Sequence, residues 1–209
     1  MKVIVISSSG DSENEPLIAN KMFAAGLKSF HIRKPKWSTR RLRQYVDKID
    51  PTFHHRLVIH SHHNLALYYN LKGIHLTKKH RKHSFASGIM LRLLKLKNKN
   101  LTISTSMSRL TSLAEGNGKY DYVFLSPVFD SLSGKYQSGF TESTLKTSIN
   151  KTKYKVIARG GVDIYSIEKV MDIGFSGMAL YTSLWKNSDP LDMFNKIMSR
   201  CKELRLEID

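Results

Sequence analysis

The 209-residue sequence predicts an α/β protein, a single (β/α)8 TIM barrel domain covering residues 1–209. Three observations predict it. Short β-branched runs alternate about eight times with longer amphipathic ones. No hairpin signals lie between them, so neighbouring strands run parallel and need crossovers. Eight such units in a chain of this length fit a compact barrel. An open doubly wound sheet uses the same alternation, but no G-x-G-x-x-G follows the first strand.

Strands are expected at Val3–Ser8, Phe30–Lys34, Leu57–Ser61, Ile74–Thr77, Leu101–Ser106, Tyr122–Pro127, Lys155–Gly160 and Met178–Thr182. Helical periodicity covers Pro16–Leu27, Thr39–Ile49, Asn64–Asn70, Ala86–Leu96, Ser108–Glu115, Glu142–Asn150 and Asp163–Ile173, with Leu191–Leu204 closing the chain. Local chemistry marks several boundaries. Pro16 suits a first helical turn, where its missing N–H costs nothing. Asp163, between Gly-Gly-Val and an apolar-periodic stretch, has the form of an N-cap. Gly73 before a strand and Gly174 after a helix suit αβ connections.

Composition narrows the class. With 41% hydrophobic residues the chain reads as an ordinary soluble globular protein. The opening Met1–Gly10 is a brief apolar run without a cleavage signature, so it reads as a first strand. No segment approaches the roughly 20 apolar residues of a membrane span, and a cytoplasmic location is expected. The lone Cys201 reads as a small packing residue rather than a catalytic thiol. The net charge of +17 calls for an anionic partner. Its densest run, Lys78-Lys79-His80-Arg81-Lys82-His83, holds no aromatics, so the stacking platform of single-strand binders is missing. The run reads as a solvated face near a small-anion site, with neither nucleic acid nor membrane as the partner.

Ligand groups in a barrel come from the C-terminal ends of strands, with phosphate commonly held after strands seven and eight. There the sequence reads Arg159-Gly160-Gly161-Val162-Asp163, then Tyr181-Thr182-Ser183. Glycines allow backbone N–H groups close to an anion, although a Gly-Gly pair also makes tight turns. On the second strand, alternation puts His31 and Arg33 on one face, and Arg33 reads either as a bidentate phosphate ligand or as half of an ion pair. The stretch Ser126–Lys135 is either a lid or a plain surface loop. Histidines are frequent at 54, 55, 60, 62, 63, 75, 80 and 83, without cysteine partners or His-E-x-x-His spacing. Of these, His60 and His75 lie in strands and can face the barrel mouth.

Taken in order, Phe30–Arg33, Leu57–Ala66, Gly73–Leu76, Ile103–Ser106, Asp121–Phe129, Val156–Val162 and Gly174–Leu184 resemble the thiamine-phosphate synthase family and its TenI-type thiazole tautomerase relatives. The resemblance spans nearly the whole chain and implies the same barrel. It implies a thiamine-biosynthesis transferase coupling a pyrimidine pyrophosphate to a thiazole phosphate, with Mg²⁺ assisting release of pyrophosphate. Thiazole phosphate is then expected on Gly160, Gly161, Thr182 and Ser183, and pyrophosphate on Arg33, Ser104, Ser131 and Lys135. The alternatives are a TenI-like tautomerase, or a catalytically degenerate binder of thiazole phosphate or thiamine phosphate. Either a monomer or a homodimer is compatible with the resemblance.

The sequence departs from the family pattern at several positions. The second-strand Gln-x-Arg-x-Lys reads His31-Ile32-Arg33-Lys34-Pro35, which keeps the arginine and puts Pro35 at the lysine position. The two positions that carry Mg²⁺ aspartates in the family hold Ser61 and His80, poor ligands for a cation that prefers carboxylate oxygen. Basic residues (Lys78, Lys79 and Lys135) are expected to replace part of the magnesium charge. Pro127 stands where TenI-type enzymes place a proton-transferring histidine, which leaves His60 and His75 as the general acid–base candidates.

Overall fold

The computed structural model describes residues 1–10, 12–82, 84–114, 119–130 and 138–208. Eight parallel strands close into one barrel in chain order: β1 (Lys2–Ile6), β2 (Phe30–Ile32), β3 (Leu57–Ile59), β4 (Gly73–Leu76), β5 (Thr102–Met107), β6 (Tyr122–Leu125), β7 (Val156–Arg159) and β8 (Gly177–Leu180). Pairing of β1 with β8, Lys2 opposite Gly177 through Val5 opposite Leu180, completes the ring. Closure leaves no edge strand with unpaired N–H and C=O groups.

Helices α1 (Glu15–Ala24), α2 (Thr39–Asp47), α3 (Leu65–Tyr68), α4 (Lys78–Lys82), α5 (Ser84–Lys97), α6 (Thr111–Ala114), α7 (Glu142–Lys151), α8 (Ile167–Ile173), α9 (Thr182–Trp185) and α10 (Pro190–Glu203) connect and surround the strands. The main core lies between this shell and the outer strand faces, where Val3, Phe30, Ile32, Val123 and Met178 meet Met22, Phe23, Leu42, Ile197 and Cys201. Cys201 is thus a buried packing residue, and burial pushes its thiol up to about 11. No described helix is long and apolar enough to cross a membrane.

Several boundary expectations have identifiable physical outcomes. Pro16 does occupy the first turn of α1. Asp163 accepts from the N–H groups of Tyr165 and Ser166 at 3.1 and 3.0 Å, and Ser166 Oγ accepts from the Asp163 N–H at 2.8 Å. That capping box opens with a 3₁₀ turn, Ile164–Ser166, so α8 itself starts four residues later than the expected helix. The eighth strand ends at Leu180 because Thr182–Trp185 winds into α9. The helix expected over Ser108–Glu115 starts at Thr111 instead, and Glu115 lies outside the described residues. The basic run 78–83, read as a solvated face, opens with the single turn of α4.

On the outer face of β2, Lys34 and Glu15 form a buried ion pair at 2.8 Å. Tyr45 Oη donates to the other carboxylate oxygen at 2.7 Å, and Lys34 Nζ also donates to the Gly10 carbonyl at 2.7 Å. This ties α1, α2 and the end of β2 together with polar groups that have all found partners. Lys34 is therefore committed to the scaffold.

Candidate active site

Strand alternation divides the barrel interior into two halves. Ile4 and Ile6 of β1, Tyr122 and Phe124 of β6, Ile157 of β7 and Ala179 of β8 pack into an inner apolar cluster. On the other side β2, β4 and β5 contribute His31, His75 and Ser104, and His60 follows directly on β3, which ends at Ile59 rather than at the expected Ser61; all four are buried. His31 Nδ1 lies 3.0 Å from His60 Nε2, and His31 Nε2 lies 2.8 Å from Tyr122 Oη. His75 Nδ1 and Nε2 stand 2.9 and 3.0 Å from Ser104 Oγ and Ser106 Oγ. The His60 and His75 rings stack at 4.1 Å, and Phe124 packs against His31 and His75. Burial, and behind it the positive charge of neighbouring groups that include Arg159, holds all three imidazoles below their ordinary range, His75 at about 3. They are neutral at neutral pH.

Arginines approach this cluster from the strand ends. Arg33 follows β2 and Arg159 ends β7, on the same alternation face as the inward Ile157. Burial first, then the charge of Arg33, pulls Arg159 down to about 10, still protonated at neutral pH. Among the described residues no carboxylate pairs with either guanidinium. A third arginine, Arg81 of α4, donates from Nη2 to the Ser106 carbonyl at 3.0 Å, while its buried Nε has no partner among the described residues. Two positive charges held together without a counterion form an incomplete electrostatic arrangement that an anion completes.

Beside Arg159 the chain turns through Gly160 and Gly161, both at positive φ (88° and 69°). The segment after β6 lies directly on this turn, Val128 and Phe129 donating to the carbonyls of Arg159 and Gly160 at 2.9 and 3.1 Å. A Cβ on Gly161 would stand 2.3 Å from the Asp130 carbonyl oxygen. Gly161→Ala is therefore expected to lose on the order of 1–3 kcal/mol to the backbone conformation, and more to the collision. A melting curve of the variant that matches the parent would contradict this. A separate cavity of about 260 Å³, lined by Glu13, Trp37, Arg41 and Tyr45 among others, opens outside the ring of strands. It shares no residue with the histidine and arginine cluster.

The family model described as thiamine monophosphate synthase matches residues 3–184. The chain belongs to this family. Among solved structures, thiamine phosphate pyrophosphorylase from Bacteroides thetaiotaomicron is 24% identical with a TM-score of 0.75, over 97% of this chain and 98% of that one. The Pyrococcus furiosus enzyme of the same name is 17% identical with a TM-score of 0.75, over 97% and 96%. A 3-hexulose-6-phosphate synthase is 15% identical with a TM-score of 0.69, over 96% and 99%. At these identities the structures establish the fold alone. No curated protein matches the chain.

Against the thiamine monophosphate synthase family pattern, the expected site residues divide. Gly160 and Gly161 follow the end of β7, while Thr182 and Ser183 open α9 beyond the adjacent strand β8. Ser183 Oγ is buried without a partner among the described residues. Arg33 lies at the mouth, and the ion-pair alternative for it finds no carboxylate partner among the described residues. Ser104 is fully buried below the rim, its hydroxyl between His75 and the Ile74 carbonyl; Ser106 stands one alternation nearer the strand end. His60 and His75 lie within the barrel in contact with each other, joined by His31. Ser131 and Lys135 lie outside the described residues, as does His83.

The two positions that hold Mg²⁺ ligands in the family do not suit that ion here. His80 Nδ1 sits 3.1 Å from Thr77 Oγ1 and 3.3 Å from the Thr77 N–H, and its ring packs on His63. Ser61 brings no carboxylate, and no group of three or more metal-ligating side chains among the described residues contains one near the mouth. The residues that sequence reasoning missed are His31, Arg81 and Arg159. For Arg159 a signal existed: a charged residue on the inward face immediately before Gly-Gly.

Proposed function

We propose that the protein couples a pyrimidine pyrophosphate to a thiazole phosphate, with guanidinium groups taking the charge that Mg²⁺ neutralises elsewhere in the family. The observation that supports this reading is the pair Arg33 and Arg159, held at the barrel mouth without a carboxylate partner among the described residues. In the reaction the carbon–oxygen bond to pyrophosphate breaks, the thiazole nitrogen forms the new bond to that carbon, and pyrophosphate departs with the electron pair. Charge therefore builds on the leaving oxygens, where preorganised cations lower the barrier most. Planar guanidinium forks match phosphate oxygens bidentately and keep their charge. Gly160, Gly161 and the unpartnered Ser183 hydroxyl hold the thiazole phosphate in this scheme.

The test supplies both substrates with either added Mg²⁺ or a chelator and follows thiamine phosphate and pyrophosphate. Product in the presence of chelator is expected. A strict requirement for Mg²⁺ would remove the guanidinium reading and keep the synthase. No product in either condition, with thiazole phosphate still raising the melting temperature, would leave a tautomerase or a binding protein.

A further inference from the structure

The structure assigns a second, separate capacity to the barrel interior: we propose that His31, His60 and His75 bind one borderline divalent transition metal ion, of the Zn²⁺ or Co²⁺ class. This assignment is independent of the coupling reaction.

Geometry comes first. Each of the three side chains offers one ring nitrogen, and these atoms lie within 4.8 Å of one another. In a tetrahedral site with Zn–N bonds of 2.0–2.1 Å, ligand nitrogens stand about 3.3 Å apart. His31 Nδ1 and His60 Nε2 already stand at 3.0 Å, facing each other. Closing a distance of 4.8 Å to about 3.3 Å needs a ring adjustment of at most about 1.5 Å, within reach of a side-chain torsion. Three protein ligands leave a fourth position for water or an anionic oxygen, the pattern of open zinc sites.

The surroundings are those that orient imidazole ligands. A metal-bound histidine donates its other N–H to a fixed acceptor, which sets tautomer and ring plane. His31 has Tyr122 Oη at 2.8 Å from Nε2 while Nδ1 points into the cluster. His75 has a serine hydroxyl at each nitrogen, so one can orient the ring while the other is displaced by metal. Phe124 packs against two of the rings. An all-imidazole set with no carboxylate selects against Mg²⁺ and Ca²⁺ and for the nitrogen-preferring later metals. The nearby Arg33 and Arg159 oppose a bare cation, so the fourth ligand is expected to be anionic.

Chelator-stripped protein titrated with Co²⁺ should develop visible d–d absorption saturating at one ion per chain, and Zn²⁺ should abolish it. His60→Gln and His75→Gln should each remove the band, whereas His62→Gln and His80→Gln should keep it. Tyr122→Phe leaves the ligand set intact and should weaken binding about 10–100-fold. X-ray absorption of the Zn²⁺ form should count three imidazoles and serves even where a histidine variant fails to fold. Folded wild-type protein that takes up no Co²⁺ or Zn²⁺, or a band that survives both His60→Gln and His75→Gln, would overturn the assignment. Neither result bears on the coupling assay, and a failed coupling assay leaves the metal titration intact.

Discussion

Glu15→Ala is expected to destabilise the protein by about 3–5 kcal/mol, the range for removing one partner of a buried ion pair. The carboxylate and the Lys34 ammonium are each almost completely sealed from solvent, at 0% and 1% side-chain exposure. Glu15 accepts from Lys34 Nζ at 2.8 Å, Ser8 Oγ at 2.5 Å and Tyr45 Oη at 2.7 Å. Without it the ammonium keeps only neutral partners: the Gly10 carbonyl, the Ser8 hydroxyl at 3.4 Å, and the faces of Trp37 and Tyr45, at 4.9 and 5.7 Å from the ring centroids. Those contacts do not balance the loss of solvation around a full charge. The double variant Glu15→Leu/Lys34→Met should recover most of the loss, because exchanging both charges for apolar groups of similar volume is often neutral. Urea unfolding of the parent, both singles and the double gives the coupling directly. A cost below 1 kcal/mol for Glu15→Ala would mean that water reaches Lys34.

The ion pair also illustrates what was legible in the sequence. Alternation assigns Lys34 to the face opposite Arg33, and the structure agrees, but pattern alone does not supply its partner. Glu15 lies on a different element, 19 residues away, and meets Lys34 only once α1 packs beside β2. The strands themselves were legible because each parallel strand is buried on both faces, and their β-branched runs are short and bounded. Asp163 and Pro16 were legible because a cap or a first turn is decided by a few adjacent residues.

The site was legible only where its chemistry is local. Gly160-Gly161 shows itself as a dipeptide at the end of a strand. His31 and His75 lie in β2 and β4 and His60 directly follows β3 between them, and only the register of the closed ring brings them together. His31 shares a face with Arg33 in the sequence pattern, yet nothing local connects it to two histidines far along the chain. Arg81 sits in a run of six basic residues, where composition points to a solvated surface; a single helical turn directs its guanidinium to the Ser106 carbonyl.

Arg159→Gln should move ligand affinity and fold stability in opposite directions, which separates a binding role from a structural one. In the unliganded protein Arg159 pays for its position through burial and through the facing charge of Arg33, as its lowered pKa reports. Removing the charge relieves both, so the melting temperature without ligand should rise. With inorganic pyrophosphate as the probe, the variant should bind about 10–150-fold more weakly, the loss of roughly 1.5–3 kcal/mol expected for a hydrogen bond to a charged group. Arg159→Lys keeps the charge but not the planar fork and should fall between the two. The parent should gain about 2.7 kcal/mol of stability at a pyrophosphate concentration one hundred times its Kd. At that same concentration the glutamine variant should gain much less, so the two melting curves converge or cross as ligand is added. A lower melting temperature without ligand, together with unchanged pyrophosphate affinity, would make Arg159 a structural residue and remove the main support for guanidinium-assisted departure of pyrophosphate.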